Sequence, residues 1–348
     1  MIKKRTNRPA VLAGFLPVFL TVFVIFCLVV NYLLFTPVFN IRRDVDIFVD
    51  DKTDFPALVT KLESEAGMRY GGVFRCFASV IKLDVNKLRT GRYVLSQSFS
   101  LFDVLRIFRN GEQTPVNVTF QGVRLKTDFA DRISEQLMFD RDELLEKMND
   151  IEFCSMFELD TSNILTLFIP DTYEMYWNVS AKNFIVKLAH EHRRFWNGER
   201  ISKAYGIPLL PEEVSVLASI VEEETAVRED YPVIAGLYIN RLRRGMPLQA
   251  DPTVKFAVGD FSLRRILHVH LDVDSPYNTY RHTGLPPGPI RIPSVTAIEA
   301  VLNYAHHNYL YMVADSDLSG RTNFASTLKE HNRNAQKYRE ALNRRGIR

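Results

Sequence analysis

Residues Leu217–Thr225 (LASIVEEET) form an apolar, helical stretch that ends in three consecutive glutamates. The helix begins in an ordinary way at Pro211-Glu212-Glu213, because proline fits the first turn and acidic side chains favour the positive end of the helix dipole. At the other end of a helix the dipole disfavours acidic side chains. Three carboxylates that directly follow core-type residues therefore indicate a functional role.

Glu222 is the candidate that helical spacing singles out within this cluster. It lies beside a stripe of small residues: Ser215, Ala218, Ser219 and Ala226. Small side chains leave a shallow notch next to the carboxyl, and a partly buried carboxyl beside a notch suits an acid that protonates a substrate. Of Glu223 and Glu224, one is expected to face solvent and the other to pair with Arg228, Arg241 or Arg243. The alternative from spacing alone is that all three glutamates form a solvated helix end with i,i+4 partners, such as Arg228 for Glu224.

The N-terminal region contains one long apolar segment, Val11–Phe35, without a charged residue. At ~1.5 Å per helical residue it exceeds a ~30 Å hydrocarbon core. A cleaved signal peptide would have a shorter apolar region and small residues at its end, whereas Leu33-Leu34-Phe35 is bulky. We expect a single uncleaved transmembrane helix over 11–35, a cytoplasmic tail over 1–10 and the remaining chain outside the cytoplasm, because Lys3, Lys4, Arg5 and Arg8 precede the span.

Charge and cysteine content narrow the classes of function. The formal net charge of the chain is +3, and the four basic residues before the span contribute four positive charges to it, so the rest of the chain is close to neutral. This argues against a nucleic-acid-binding surface, which needs clustered positive charge. Cys27 lies in the span, while Cys76 and Cys154 either form a disulfide or remain two free buried thiols.

Alternating and helical patterns predict an α+β fold after the span. In residues 36–120 the predicted elements are a strand over 39–49, a helix capped by Asp54, a helix over 74–83, a strand over 88–95, a helix capped by Ser100 and a strand over 115–120. Residues 121–348 carry further helices over 127–137, 140–148, 181–196 and 235–242, and we interpret them as one mixed α+β domain. No internal repeat is visible.

Several long motifs occur in a characteristic order along the chain. They are Phe168–Tyr173, Ala218–Thr225, Asn240–Leu242, Leu248–Val254, Tyr277–Tyr280, Thr283–Ile290 and His331-Asn332. In order and spacing they resemble the YceG-like family of endolytic murein transglycosylases. Residues Leu88–Val116 resemble the LysM-like module of membrane-anchored cell-wall enzymes, and the alternative for 36–120 is a plain spacer.

The resemblance implies an activity and its setting. The enzyme would be a lytic transglycosylase that cuts peptidoglycan strands internally between N-acetylmuramic acid and N-acetylglucosamine, leaves 1,6-anhydro ends and terminates glycan elongation. The family's acid is taken as the first glutamate of its Glu-x-Glu pair, here Glu222, which would protonate the leaving oxygen and then deprotonate the C6 hydroxyl. No cofactor or metal is implied. The implied partners are glycan strands and penicillin-binding proteins, and the location is the bacterial inner membrane.

The same motifs supply further candidate residues. Those expected to hold acetamido and hydroxyl groups are Gln249, Asp251, Thr253, Tyr277, Asn278 and Thr279, and those expected to support the site are Glu224, Arg241, His331 and Asn332. Each of the first group has an ordinary alternative, which is turn capping for residues 251–253 and loop packing for Tyr277 and Tyr280.

Two other classes of function compete with this interpretation. One is a membrane-tethered wall-binding protein without catalysis, in which the LysM-like module binds glycan. The other is a metallohydrolase built on His268, His270, His306, His307 and His331. These histidines lack the spacing of two ligands on one helix face, and there is no HExxH motif.

Overall fold

The computed structural model describes residues 10–83, 88–263, 265–317 and 321–344. Helices and short strand pairs alternate along them, which confirms a mixed α+β chain. The chain divides into two compact units. The first reaches to Val116 and takes in Glu174–Asn178, and the second consists of Asn117–Tyr173 and Val179 onward.

The N-terminal helix α1, Ala10–Phe35, confirms the predicted apolar helix. Its segment Pro17–Phe35 is long and apolar enough to cross a membrane, and none of it is buried in the protein. Residues 1–9, which hold the basic cluster, lie outside the described residues.

The first unit is built on one antiparallel strand pair. Strand β1 (Val45–Val49) pairs with β2 (Gly91–Leu95), and Ile47 lies opposite Tyr93 in the core. Between the strands run α2 (Phe55–Ser64) and α3 (Gly71–Val80), and α4 (Leu101–Asn110) follows them. The predicted caps are present, since Asp54 accepts from the Ala57 amide and Ser100 from the Asp103 amide. The strand predicted over 39–49 begins only at Val45.

The chain continues with β3 (Val116–Thr119), α5 (Lys126–Ser134), α6 (Arg141–Asn149), α7 (Ile151–Ser155), β4 (Thr172–Met175), α8 (Ala181–Phe195), α9 (Gly198–Gly206), α10 (Pro211–Glu224), α11 (Tyr231–Arg243), α12 (Asp251–Val258), α13 (His268–Leu271), α14 (Val295–Leu302), β5 (Tyr311–Ala314), β6 (Thr322–Ala325) and α15 (Leu328–Arg344). Strand β3 pairs with β4, and β5 pairs antiparallel with β6. Residues 251–253, for which turn capping was the ordinary alternative, begin helix α12.

Helix α10 is the central element of the second unit. Every residue from Val214 to Val221 is buried, and the helix packs against α11 and α14. The Ser219 hydroxyl accepts a hydrogen bond from the Ile290 amide at 3.0 Å. Ser215, Ala218 and Ser219 are all buried, so the open notch predicted beside Glu222 is wrong at these three residues, whereas Ala226 is exposed.

The cysteines show no disulfide. Cys76 is exposed and Cys154 is buried, and both thiols are free.

Candidate active site

A cleft of about 610 Å³ opens in the second unit at the C-terminal end of α10. Its walls come from the end of α10, one face of α11, the segment leading into α12, strand β5 and the start of α15. The polar side chains that line it include Glu224, Tyr238, Arg241, Gln249, Asp251 and Tyr280.

Glu224, the last residue of α10, is the glutamate of the cluster that faces this cleft. Its carboxylate accepts a hydrogen bond from the Tyr238 hydroxyl. Burial raises the pKa of Glu224 to about 7, and the charge of Asp251 also raises it, against the Tyr238 hydrogen bond and the positive charge of Arg241. Near neutral pH this group can therefore both donate and accept a proton, as a general acid and base must.

Glu222 and Glu223 meet different surroundings, because successive helical residues point about 100° apart. Glu222 accepts the Ser294 amide at 2.8 Å and lies 3.6 Å from the Arg291 guanidinium. Glu223 binds Arg291 at 2.7 Å and Arg124 at 2.9 Å. Neither lines the cleft, and their side chains are only 13% and 14% exposed. These partners offset the unfavourable dipole at this helix end.

Arg241 fixes one wall of the cleft. Its guanidinium is buried and donates to the carbonyl oxygens of Leu310 and Leu248, each at 2.7 Å, and to Gln249 at 3.3 Å. Gln249 itself has a φ of 49°, a left-handed conformation that few side-chain-bearing residues adopt. In this position the arginine holds the chain that carries Gln249 into the cleft, and its supporting role in the reaction stays a prediction.

Asp251 is the second carboxylate of the cleft. It begins α12, is exposed, and accepts a hydrogen bond from the Tyr280 hydroxyl at 2.6 Å. Burial and the adjacent Asp251 raise the pKa of Tyr280, so the tyrosine stays protonated as a donor. Of the six residues predicted to hold substrate, Asp251 and Gln249 line the cleft.

The other four are placed elsewhere. Thr253, Asn278 and Thr279 are buried, and Tyr277 packs on Phe256 with 4.7 Å between ring centroids. The Thr253 and Thr279 hydroxyls lie 2.8 Å apart, and Asn278 donates to two backbone carbonyl oxygens. In this fold Thr253 and Thr279 hold the 275–280 loop against α12, and Asn278 ties the loop to the carbonyl oxygens of Leu271 and Val273. A substrate-binding role for these side chains stays a prediction.

Helix α15 brings one of its two predicted residues to the cleft. His331 lines it, with its ring centroid 5.5 Å from that of Tyr311, whereas Asn332 is exposed outside it. Burial and the charge of Arg241 lower the pKa of His331, which keeps the ring neutral. Sequence reasoning missed Tyr238 as a functional residue, although it precedes Arg241 by three and so shares its helix face.

No three His, Cys, Asp or Glu side chains lie close enough to hold a metal ion among the residues that the structure describes.

Comparison with known proteins identifies the family to which the chain with this cleft belongs. The model of the YceG-like family matches residues 47–337, most of the chain. The chain belongs to the YceG-like family. A YceG-like protein from Listeria monocytogenes has a crystal structure that matches with a TM-score of 0.54 and 28% identity, over 83% of this chain and 98% of that one.

Two curated relatives of this YceG-like chain are each named endolytic murein transglycosylase. The protein from Bacillus subtilis strain 168 is 29% identical over 272 residues, which is 73% of this chain and 74% of the relative. The protein from Streptococcus pneumoniae serotype 2 strain D39 is 28% identical over 335 residues, 86% of this chain. The match spans 59% of the pneumococcal protein's length.

Proposed function

We propose that this chain is an endolytic murein transglycosylase, which cuts peptidoglycan strands between N-acetylmuramic acid and N-acetylglucosamine and leaves 1,6-anhydro ends. The names of its relatives support the reaction class. The observation that carries the proposal is the position of Glu224, a half-buried carboxyl with a pKa of about 7 in the cleft.

We assign the acid to Glu224 and not to Glu222, the residue expected from the sequence. Glu222 accepts a hydrogen bond from the Ser294 backbone amide and lies beside Arg291, so its carboxylate is engaged by groups of the protein itself. Its side chain also lies outside the cleft lining. Glu224 meets both needs of a substrate acid, because it reaches the cleft and can hold a proton at neutral pH. The assignment to Glu222 stays a prediction that parallel variants test.

The reaction then needs one carboxyl in two roles. Protonated Glu224 gives its proton to the glycosidic oxygen as the bond from that oxygen to C1 of the muramic acid breaks. The C6 hydroxyl oxygen of the same sugar bonds to C1 and loses its proton to the Glu224 carboxylate. The products are a 1,6-anhydro end and a free hydroxyl on the departing sugar, and Glu224 is again protonated.

A single acid suffices because the nucleophile belongs to the substrate. Glycoside hydrolases ordinarily need a second carboxylate as nucleophile or base. An intramolecular hydroxyl replaces it and removes the entropic cost of recruiting another reactant. In this scheme Tyr238 orients Glu224, the charge of Asp251 favours its protonated form, and Gln249 and Asp251 hold sugar hydroxyl and acetamido groups.

The proposed setting is the bacterial inner membrane, with residues 1–10 cytoplasmic, 11–35 spanning and the catalytic domain, 121–348, outside the cytoplasm. The length and exposure of the apolar helix support the span. Protease added to spheroplasts should digest the chain beyond Phe35. Full protection of that part would contradict this topology.

For residues 36–120 we propose a LysM-like module that binds glycan. The order β1-α2-α3-β2, with the two strands paired, supports it. Sedimentation of the protein with insoluble peptidoglycan tests it: loss of co-sedimentation on deletion of 36–120 is expected, and unchanged co-sedimentation would favour a spacer. Penicillin-binding proteins are proposed partners, and crosslinking in cells should capture them.

Product analysis tests the proposed reaction directly. Purified full-length protein in detergent should release fragments with 1,6-anhydro-muramic ends from long glycan strands, as measured by mass spectrometry. Internal cutting should yield intermediate lengths early in the reaction. Reducing ends in place of anhydro ends would identify a hydrolase, and binding without new ends would favour the wall-binding alternative.

A further inference from the structure

A second groove of about 680 Å³ lies in the second unit, away from the acid. It is bounded by the chain after α7, by α8 and α9, and by the start of α10. Its lining includes the aromatic residues Phe157, Trp196 and Tyr205, and the large side chains of Tyr205 and Met156 are 62% and 64% exposed at its rim. Nothing in the proposed reaction uses this groove.

Two buried ring nitrogens in this groove have no partner. His192 and Trp196 are four residues apart on α8 and therefore share one face. Trp196 is only 4% exposed, yet its Nε1 makes no hydrogen bond to any residue that the structure describes, and the same holds for Nε2 of His192. Buried polar groups are nearly always paired, so these two enclosed and unpaired nitrogens point to a ligand that displaces the side chains at the rim to reach them.

The charge around the groove favours a neutral ligand. Glu158 and Glu212 contribute two negative charges against the single positive charge of Arg193. Burial, and then Arg193, lower the pKa of His192 to about 4, so that ring is neutral at working pH. Anionic ligands such as phosphates or carboxylates would meet net repulsion.

We propose that this groove binds an N-acetylated sugar of the glycan strand, a second saccharide site apart from the catalytic cleft. The acetamido carbonyl oxygen accepts from Trp196 Nε1, a sugar hydroxyl bonds His192 Nε2, and the apolar face of the ring lies on Tyr205 or Phe157. Such a ligand supplies both the acceptor that the indole needs and an apolar face for the aromatic rim. This inference rests on the proposed function, in which the substrate is a glycan strand.

Helix α10 connects the groove to the cleft. Glu212 in its first turn lines the groove and Glu224 at its end lines the cleft, so the two sites are about 18 Å apart along one rigid helix. A long strand can occupy both sites, whereas a short fragment fills only one. The groove would therefore favour cutting of long strands.

Tryptophan fluorescence offers a direct test because the chain has two tryptophans. In full-length protein carrying Trp177→Phe, Trp196 is the remaining reporter. Titration with the β-1,4-linked tetramer of N-acetylglucosamine should give a saturable change in its emission. Tyr205→Ala should weaken this binding about fivefold to tenfold through loss of an aromatic contact. Tyr176→Ala, at another exposed tyrosine, should not.

Two outcomes would overturn the proposal. One is the absence of a saturable change, which would leave the groove to a protein partner. The other is a change that survives Tyr205→Ala and disappears in Glu224→Gln, which would place the tetramer in the cleft. If both Glu224→Gln and Glu222→Gln keep full activity, the proposed acid fails, but the fluorescence titration still decides the groove on its own.

Steady-state kinetics on long and short glycan strands distinguish a binding role of Tyr205 from a merely structural one. Tyr205→Ala should raise KM for long strands several-fold and leave kcat unchanged, with no effect on short fragments. An equal effect on long and short substrates would contradict a second site.

Discussion

Glu224 is poised between its two protonation states by opposing neighbours. Burial and Asp251 favour the neutral carboxyl, while Tyr238 and Arg241 favour the carboxylate. A general acid works only while it is protonated, so activity should decline as the pH rises above about 7. Substituting one neighbour at a time should therefore shift the alkaline limb of the pH–rate profile. Removing a group that raises the pKa of Glu224 should shift the limb to lower pH, and removing a group that lowers this pKa should shift it to higher pH.

Asp251→Asn should move the alkaline limb of kcat/KM to lower pH. Removing the negative charge lowers the pKa of Glu224, so less of the acid is protonated at pH 8 than in the parent protein. Asparagine keeps an oxygen that can accept from Tyr280. The pH–rate profile measures the shift, and Asp272→Asn, at an exposed aspartate outside the cleft, is the control. A limb that stays in place would refute the coupling between the two carboxylates.

Tyr238→Phe should move the same limb to higher pH. The hydroxyl stabilises the charged carboxylate, so its loss raises the pKa of Glu224. We also expect kcat to fall about tenfold, because the carboxyl loses an orienting contact. The control is Tyr304→Phe, which removes a hydroxyl that binds Arg243. A limb that moves to lower pH, as in Asp251→Asn, would contradict this role.

At the scale of elements, the end of α10 is held by cations from distant parts of the chain. Arg124 and Arg291 bind Glu223, and Arg291 also lies beside Glu222. The sequence showed the cluster of acids but not these partners, because they lie 99 and 68 residues away along the chain. It suggested nearby arginines, of which Arg241 instead binds carbonyl oxygens and Gln249.

Arg291→Met should lower the free energy of unfolding by about 2 kcal/mol. Breaking a buried ion pair costs ~3–5 kcal/mol, and we discount this for the partial exposure of the two side chains. Methionine keeps most of the packing of the arginine stem. Denaturant unfolding measures the change, and Arg244→Met at an exposed site should stay within about 0.5 kcal/mol. Equal losses in the two variants would argue against this ion pair.

Across the whole molecule, patterns among neighbouring residues predicted most helices and strands, whereas packing between residues distant in the sequence determines which side chains line the cleft. Caps at Asp54 and Ser100 and the apolar run before Phe35 are encoded in adjacent residues, so the helices that they define could be predicted. The position of Thr253 could not, because its burial against Thr279 depends on how the 275–280 loop folds back on α12. The positions of Glu222 and Glu224 could not be predicted either. Helical spacing placed the stripe of small residues beside an open notch, and so favoured Glu222 over Glu224 as the residue that faces substrate.

A comparison of Glu224→Gln with Glu222→Gln, in full-length protein acting on purified glycan strands, tests directly which glutamate is the acid. Mass spectrometry of released 1,6-anhydro fragments gives the rate for each. The rate of Glu224→Gln should fall at least about 100-fold, as expected for loss of a general acid, while Glu222→Gln should keep most of its activity. Retained activity in Glu224→Gln together with loss in Glu222→Gln would contradict the assignment to Glu224 and identify Glu222 as the acid.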